Sequence, residues 1–185
     1  FLESRYDETI NRMGFDLSDE PLYYPGEEKS LQQQINSTLA AGKHIIFTGP
    51  PGTGKTRLAR AVCEHATNTA LAETVDDYQF TTASADWTSF DTVGGYSPSK
   101  TEEGLEFQPG QFLKCFRDGE DLRNRWLLID ELNRADIDKA MGGLFSVLTG
   151  EEVELPYENR EPIRVTPLSA GDDTHFDRSL AEIAK

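Results

Sequence analysis

Cysteine, basic side chains and long apolar runs are all in short supply in this sequence. Only Cys63 and Cys115 occur among 185 residues. Two cysteines are too few for a disulfide framework, so a small stapled extracellular scaffold is excluded. Cys63 follows Leu58, Ala59 and Val62 at helical spacing and reads as a core thiol. No apolar stretch approaches the ~20 residues of a membrane helix, and no basic-then-apolar leader is visible. No membrane partner is expected, and the cytoplasm is the default location. Lys and Arg number 18 against 33 Asp and Glu, a net charge of −15 with pI ≈ 4.5. Bulk charge will not hold such a domain on nucleic acid. Any DNA or RNA contact must come from a local patch or from another part of a larger protein. The acids are spread along the chain ("ETVDD", "GEEVE", "GDDTHFD"), which suits either a halophile's surface or an ordinary acidic cytoplasmic domain.

What is present is a regular alternation of elements. Residues 1–28 are polar and mixed, with a turn signal at "YYPGEE", and read as a linker. "EKSLQQQINSTLAAGK" predicts a helix with Leu31, Ile35 and Leu39 on one face and a stop at Gly42. "HIIFT" predicts a short buried strand, "KTRLARAVCEHAT" a helix and "YQFTTAS" a second strand. Residues 87–111 are rich in Gly, Pro, Ser and Thr and read as an elaborated loop with a hairpin around "GLEF". "QFLKCFRDG" predicts a short helix and "WLLID" a third strand. "DIDKAMGGLFSVLTG" predicts one helix capped by Asp136, with Ile137, Met141, Leu144, Phe145 and Leu148 on one side. Gly142 and Gly143 each cost a helix ~1 kcal/mol, which implies a close neighbour there. "EEVELPYENREPIRV" predicts two strands around a turn at "YENRE". Strands alternating with helices argue an α/β fold with a mostly parallel sheet.

Two motifs carry the chemistry. "GPPGTGKT" (Gly49, Pro50, Pro51, Gly52, Thr53, Gly54, Lys55, Thr56) fits G-x-x-x-x-G-K-[ST], with a predicted strand before it and a helix after it. Glycines let backbone N–H groups turn inward around phosphate oxygens, and the helix N-terminus adds its dipole. Lys55 brings a charge to the β- and γ-phosphates, and Thr56 offers its hydroxyl to Mg2+. The second motif is "WLLIDELNRAD", four apolar residues ending in Asp130 and Glu131. Adjacent like charges repel, which asks for a cation between phosphate and protein. Asp130 is a candidate Mg2+ ligand beside Thr56, and Glu131 is placed to orient or deprotonate an attacking water. A signalling GTPase would read guanine through an N/T-K-x-D element, which is absent. A small-acceptor kinase would want an Arg-rich lid, which is not visible either.

Taken together, "GPPGTGKT" and "LLIDELNRAD" resemble the AAA+ ATPases, P-loop NTPases with a parallel sheet flanked by helices. "DELNRAD", with Asn133 and Arg134 directly after the acids, resembles the McrB-like and MoxR-like (dynein-related) branch. "GGYSPSKTEEGLEFQPGQFLKCFRD" is similar to the β-hairpin insertion that projects toward the pore in that branch. "EEVELPYENREPIRV" is similar to the hairpin before its sensor strand. "SADWTSFDTVGGYSPS" and "MGGLFSVLTGE" are more similar to the restriction motors than to the MoxR-like chaperones. The resemblance spans residues 23–165 and assigns residues 29–185 to a partial AAA+ core.

The resemblance implies a Mg2+-dependent NTPase working as a ring, on ATP or GTP, with a nuclease or a chaperone client as partner. It implies Glu131, Lys55 and Asn133 as catalytic, with Asn133 near the γ-phosphate and Arg134 near the subunit interface or the insertion. Locally, Asn133 equally suits a turn cap, and Arg134 a neutraliser of Glu131. A module that holds nucleotide as a switch without turnover is the other functional class, and Glu131 favours hydrolysis. After Val165 the sequence departs from the family pattern: "TPLSAGDDTHFDRSLAEIAK" shows no recognisable sensor strand, arginine finger or lid. With Phe1 in place of Met, the expectation is a fragment lacking the C-terminal lid and nearly inactive by itself.

Overall fold

A computed structural model describes residues 14–17, 28–41, 43–67, 75–99, 104–118, 121–148, 151–159 and 161–165. It divides into two compact units, Phe1–Tyr78 and Gln79–Lys185.

Among the described residues, the helices of the first unit are α1 (Glu28–Ala40) and α2 (Lys55–Thr67). In α1, Ile35 is buried while Leu31 and Leu39 are half-buried, the face expected from their spacing. Residues 14–17, inside the stretch expected as a linker, are packed: Phe15 and Leu17 are buried. Buried Asn36 on α1 accepts from Phe15 N–H at 2.9 Å and donates to Phe15 C=O at 3.1 Å, so its amide satisfies both backbone groups. Leu58, Ala61, Val62, Cys63 and Ala66 recur at helical spacing and form the buried face of α2. Residues 44–48 correct the expectation of a short buried strand. They pair with no strand among the described residues, and Ile46 is 77% exposed. Ile45 and Phe47 alternate with exposed neighbours as a strand would, but alternation without a ladder partner leaves the segment outside any sheet.

In the second unit, β1 (Asp77–Thr82, its first two residues belonging to the first unit) pairs with β6 (Arg125–Asp130), although β2 to β5 intervene in sequence. Ala83 N–H, just past β1, bonds to the C=O of Asp130, the last residue of β6, at 2.8 Å. Both strands therefore end at the same edge, which makes the pair parallel and the fold α/β.

The long crossover between them is built on glycine. A short helix α3 (Ser89–Thr92) leads into β2 (Gly94–Pro98), which pairs antiparallel with β3 (Leu105–Pro109), the hairpin expected around "GLEF". The chain from Gly110, directly after β3, then docks on α3. Gly110 N–H bonds to Val93 C=O, Gln111 N–H to Asp91 C=O and Phe112 N–H to Thr92 C=O, each at 2.8 Å. A Cβ on Gly110 would lie 2.5 Å from the Thr92 carbonyl carbon and oxygen. Backbone cannot yield as a side-chain tip can, so Gly110→Ala should cost roughly 2–3 kcal/mol. That lowers the melting temperature by about 5–10 °C. Calorimetry of the variant beside Gly142→Ala checks this. Gly142 has helical angles (φ −50, ψ −40) and open space around a Cβ, so alanine there should be neutral or stabilising.

Beyond Gly110, "QFLKCFRDG" gives only one 3-10 turn (Leu113–Cys115), then β4 (Arg117–Asp118) turning back as β5 (Asp121–Leu122). The long helix expected over residues 136–150 is also broken. Helix α4 (Ile137–Met141) passes through a 3-10 turn at Gly142–Leu144 into α5 (Phe145–Leu148). No close neighbour packs on Gly142 or Gly143. The glycines weaken the helix rather than admit another element, and Phe145 turns out to 38% exposure. Asp136 does cap α4, accepting from Lys139 N–H at 3.3 Å. Strands β7 (Val153–Asn159) and β8 (Glu161–Val165) form the expected hairpin.

The second unit's core is Ala83, Trp87, Val93, Leu113, Ala140, Met141, Leu144, Leu155, Ile163 and Val165. Tyr96 lies opposite Phe107 across the β2–β3 hairpin. Both meet Tyr157 of β7, with ring centroids 6.0 and 5.2 Å away, so an aromatic cluster joins the two hairpins.

Cys63 and Cys115 are both buried and unpaired with each other. Burial, with a smaller push from the Glu64 carboxylate, raises the Cys63 thiol to about 12. Burial raises Cys115 to about 11, opposed by Arg125. Both should resist Ellman's reagent until the protein unfolds. The folded thiols hold their protons while unfolded ones ionise from 9.0 upward, so stability falls as pH rises through that range. The slope is about 1.4 kcal/mol per pH unit per thiol. Denaturant titrations at pH 8 to 11 on wild type and Cys63→Ala check it: the variant's slope should be shallower.

Candidate active site

The phosphate loop opens α2. Gly49, Gly52 and Gly54 sit at φ 152, 77 and 83, the left-handed region that side chains avoid. A Cβ on Gly52 would meet nothing within 4 Å, so the backbone angle and not space demands glycine there. Thr53 Oγ1 donates to Pro50 C=O at 2.9 Å and ties the turn. The helix's first bond runs from Leu58 N–H to Gly54 C=O, so the amides ahead of Leu58 belong to the helix N-terminus. No acid occupies the first turn of α2. The positive end of the helix dipole is thus left to an anion from outside. Lys55 Nζ donates to Gly49 C=O at 3.0 Å and Pro50 C=O at 2.7 Å, arching back over the loop. Thr56 follows on the same turn. The loop geometry fits a phosphate: left-handed glycines, a helix end and an ammonium on one eight-residue stretch.

The acidic pair ends β6. Asp130 is half-buried and Glu131 exposed. Glu131 takes φ 55, ψ 36, the one non-glycine residue at positive φ among the described residues. That conformation costs roughly 1–2 kcal/mol for a residue with a Cβ. Its N–H donates to Asp130 Oδ1 at 3.0 Å. A 3-10 turn (Leu132–Arg134) follows, and Arg134 Nε meets Glu131 Oε2 at 3.2 Å. Arg134 is therefore the local partner of Glu131, one of the two roles its position allowed. Asn133 is exposed in the turn and caps no element, since Asp136 caps α4. The left-handed Glu131 left no signal in the sequence: a non-glycine at positive φ is set by its surroundings.

No group of three or more His, Cys, Asp or Glu among the described residues could hold a metal ion. The Thr56 hydroxyl in the first unit and the Asp130 carboxylate in the second are each hard oxygens. Mg2+ at phosphoryl-transfer sites takes one or two such ligands and fills the rest with phosphate and water, so the donor chemistry fits.

Comparison with known proteins agrees with the motif reading. The chain is 29% identical over 163 residues to the type IV methyl-directed restriction enzyme EcoKMcrB subunit of Escherichia coli (strain K12), covering 82% of this chain and 34% of that protein. It thus spans about a third of that relative's length. The AAA domain of the dynein-related subfamily matches residues 44–170, from the segment before the phosphate loop to just past β8. A match over more than half the sequence, joined to a glycine loop opening a helix and paired acids ending a parallel strand, makes this chain a member of the dynein-related AAA family.

Proposed function

We propose that this chain is the nucleotide-binding core of a Mg2+-dependent nucleoside-triphosphatase that works as a ring motor, with ATP the expected nucleotide. The observation that carries this reading is the phosphate loop, with its three left-handed glycines and Lys55 arched over a helix N-terminus. In this mechanism the loop amides and Lys55 hold the β- and γ-phosphates. Thr56 and Asp130 would hold Mg2+, which when bound would neutralise phosphate charge. Glu131 orients a water and takes its proton as the new bond to the γ-phosphorus forms. The bond from that phosphorus to the bridging oxygen breaks, and the diphosphate leaves with the electron pair. Asn133 at the γ-phosphate is carried over from the family resemblance.

A second reading is favoured by the relative's name. The chain would be part of a restriction complex subunit, GTP-using by the McrB resemblance, with a nuclease as partner. A chaperone on the MoxR pattern and a non-hydrolysing switch are further outcomes of the same test. Phosphate release by the intact protein from ATP and GTP, with and without Mg2+, separates them. Turnover of either nucleotide supports a motor, preference for GTP supports the restriction reading, and tight binding without release would leave a switch. Sedimentation with nucleotide tests the ring.

A further inference from the structure

We infer that Arg134 is the positioning residue for Glu131, holding its carboxylate in the orientation that meets water. This rests on the proposed role of Glu131 in hydrolysis. Glu131 is fixed at three points. Its N–H is held by Asp130 Oδ1 at 3.0 Å. Its C=O accepts from Arg134 N–H at 2.8 Å. Its Oε2 is held by Arg134 Nε at 3.2 Å.

The turn type makes this possible. Glu131 is the N-cap of the 3-10 turn, and Arg134, the last residue of that turn, closes back on it through both its backbone N–H and its guanidinium. Glu131 holds this position in the left-handed region, directly after the last residue of β6. A non-glycine residue stays left-handed only where its surroundings over-determine it, and Arg134 supplies two of the three restraints. The ion pair uses Oε2 alone, which leaves Oε1 as the oxygen that meets water.

A merely structural pair predicts something different. With side chains 60% and 45% exposed, it lies in solvent, where such pairs contribute little to stability. A structural role would then move nothing measurable, and a loss of turnover confined to kcat is diagnostic.

The test uses the intact protein with Arg134→Ala, Arg134→Lys, Glu131→Gln and the double variant Glu131→Gln/Arg134→Ala. Single-turnover phosphate release, nucleotide affinity and thermal melting are measured for each. Arg134→Ala should lower the rate roughly 10- to 100-fold, the penalty of a misplaced catalytic group. Nucleotide affinity should stay within about twofold and melting unchanged. Arg134→Lys, which keeps a charge within reach of Oε2, should recover most of the rate. The double variant should be no slower than Glu131→Gln. Wild-type turnover in Arg134→Ala, with Glu131→Gln inactive, overturns the inference. So does an equal rate loss from Arg134→Ala in both backgrounds, which would mean that Arg134 acts independently of Glu131. Wild-type turnover in Glu131→Gln would instead bring down the role of Glu131 itself.

Discussion

Lys55→Ala in the intact protein abolishes nucleotide binding. The Lys55 ammonium sits on the carbonyls of Gly49 and Pro50, in the loop that opens α2. Charge-assisted hydrogen bonds are worth about 1.5–3 kcal/mol each. Contacts to both the β- and γ-phosphates would go together with the side chain. At 1.4 kcal/mol per factor of ten, two such contacts amount to roughly 10²- to 10⁴-fold in affinity. The backbone should survive the change, because the Lys55 bonds lie at the surface while the loop angles are set by Gly49, Gly52 and Gly54. Circular dichroism of the variant should therefore match wild type while a fluorescent nucleotide titration shows no saturation. Wild-type affinity in Lys55→Ala would sink the phosphate-loop reading.

Glu131→Gln keeps binding and loses turnover. An amide still donates and accepts with water but cannot take its proton, and general-base catalysis is worth about 10²- to 10⁴-fold. Gln has the same backbone and nearly the same length, so the left-handed angle at position 131 costs as much as before. The change isolates chemistry from fold. Asp130→Asn should do the reverse, weakening nucleotide binding chiefly when Mg2+ is present, because a neutral amide oxygen is a poorer ligand for a hard cation. Phosphate release and nucleotide affinity, measured with and without Mg2+, distinguish the two. An identical affinity defect in both variants would refute this division of roles between neighbouring acids.

Local patterns alone determined much of this protein. "GPPGTGKT" specified its own geometry, because only glycine adopts the angles at positions 49, 52 and 54 cheaply and a helix start follows directly. The bounds of α2 match the predicted "KTRLARAVCEHAT", since its apolar residues repeat at the helical period within one continuous segment. The two hairpins and the Asp136 cap were legible for the same reason: each is settled by residues a few positions apart. What depends on partners distant in sequence was not legible. Residues 44–48 carry a strand's alternation, yet a strand exists only where a neighbour completes its ladder. The glycines at 142 and 143 hinted at close packing, but only the folded chain shows open space there and backbone contact at Gly110. Arg134 had a local and a family-based reading of equal standing, and the folded turn shows the local pair with Glu131. Short-range rules are written in side-chain chemistry and spacing. The conformation of Glu131 and the fit of Gly110 are set by what the rest of the chain brings against them.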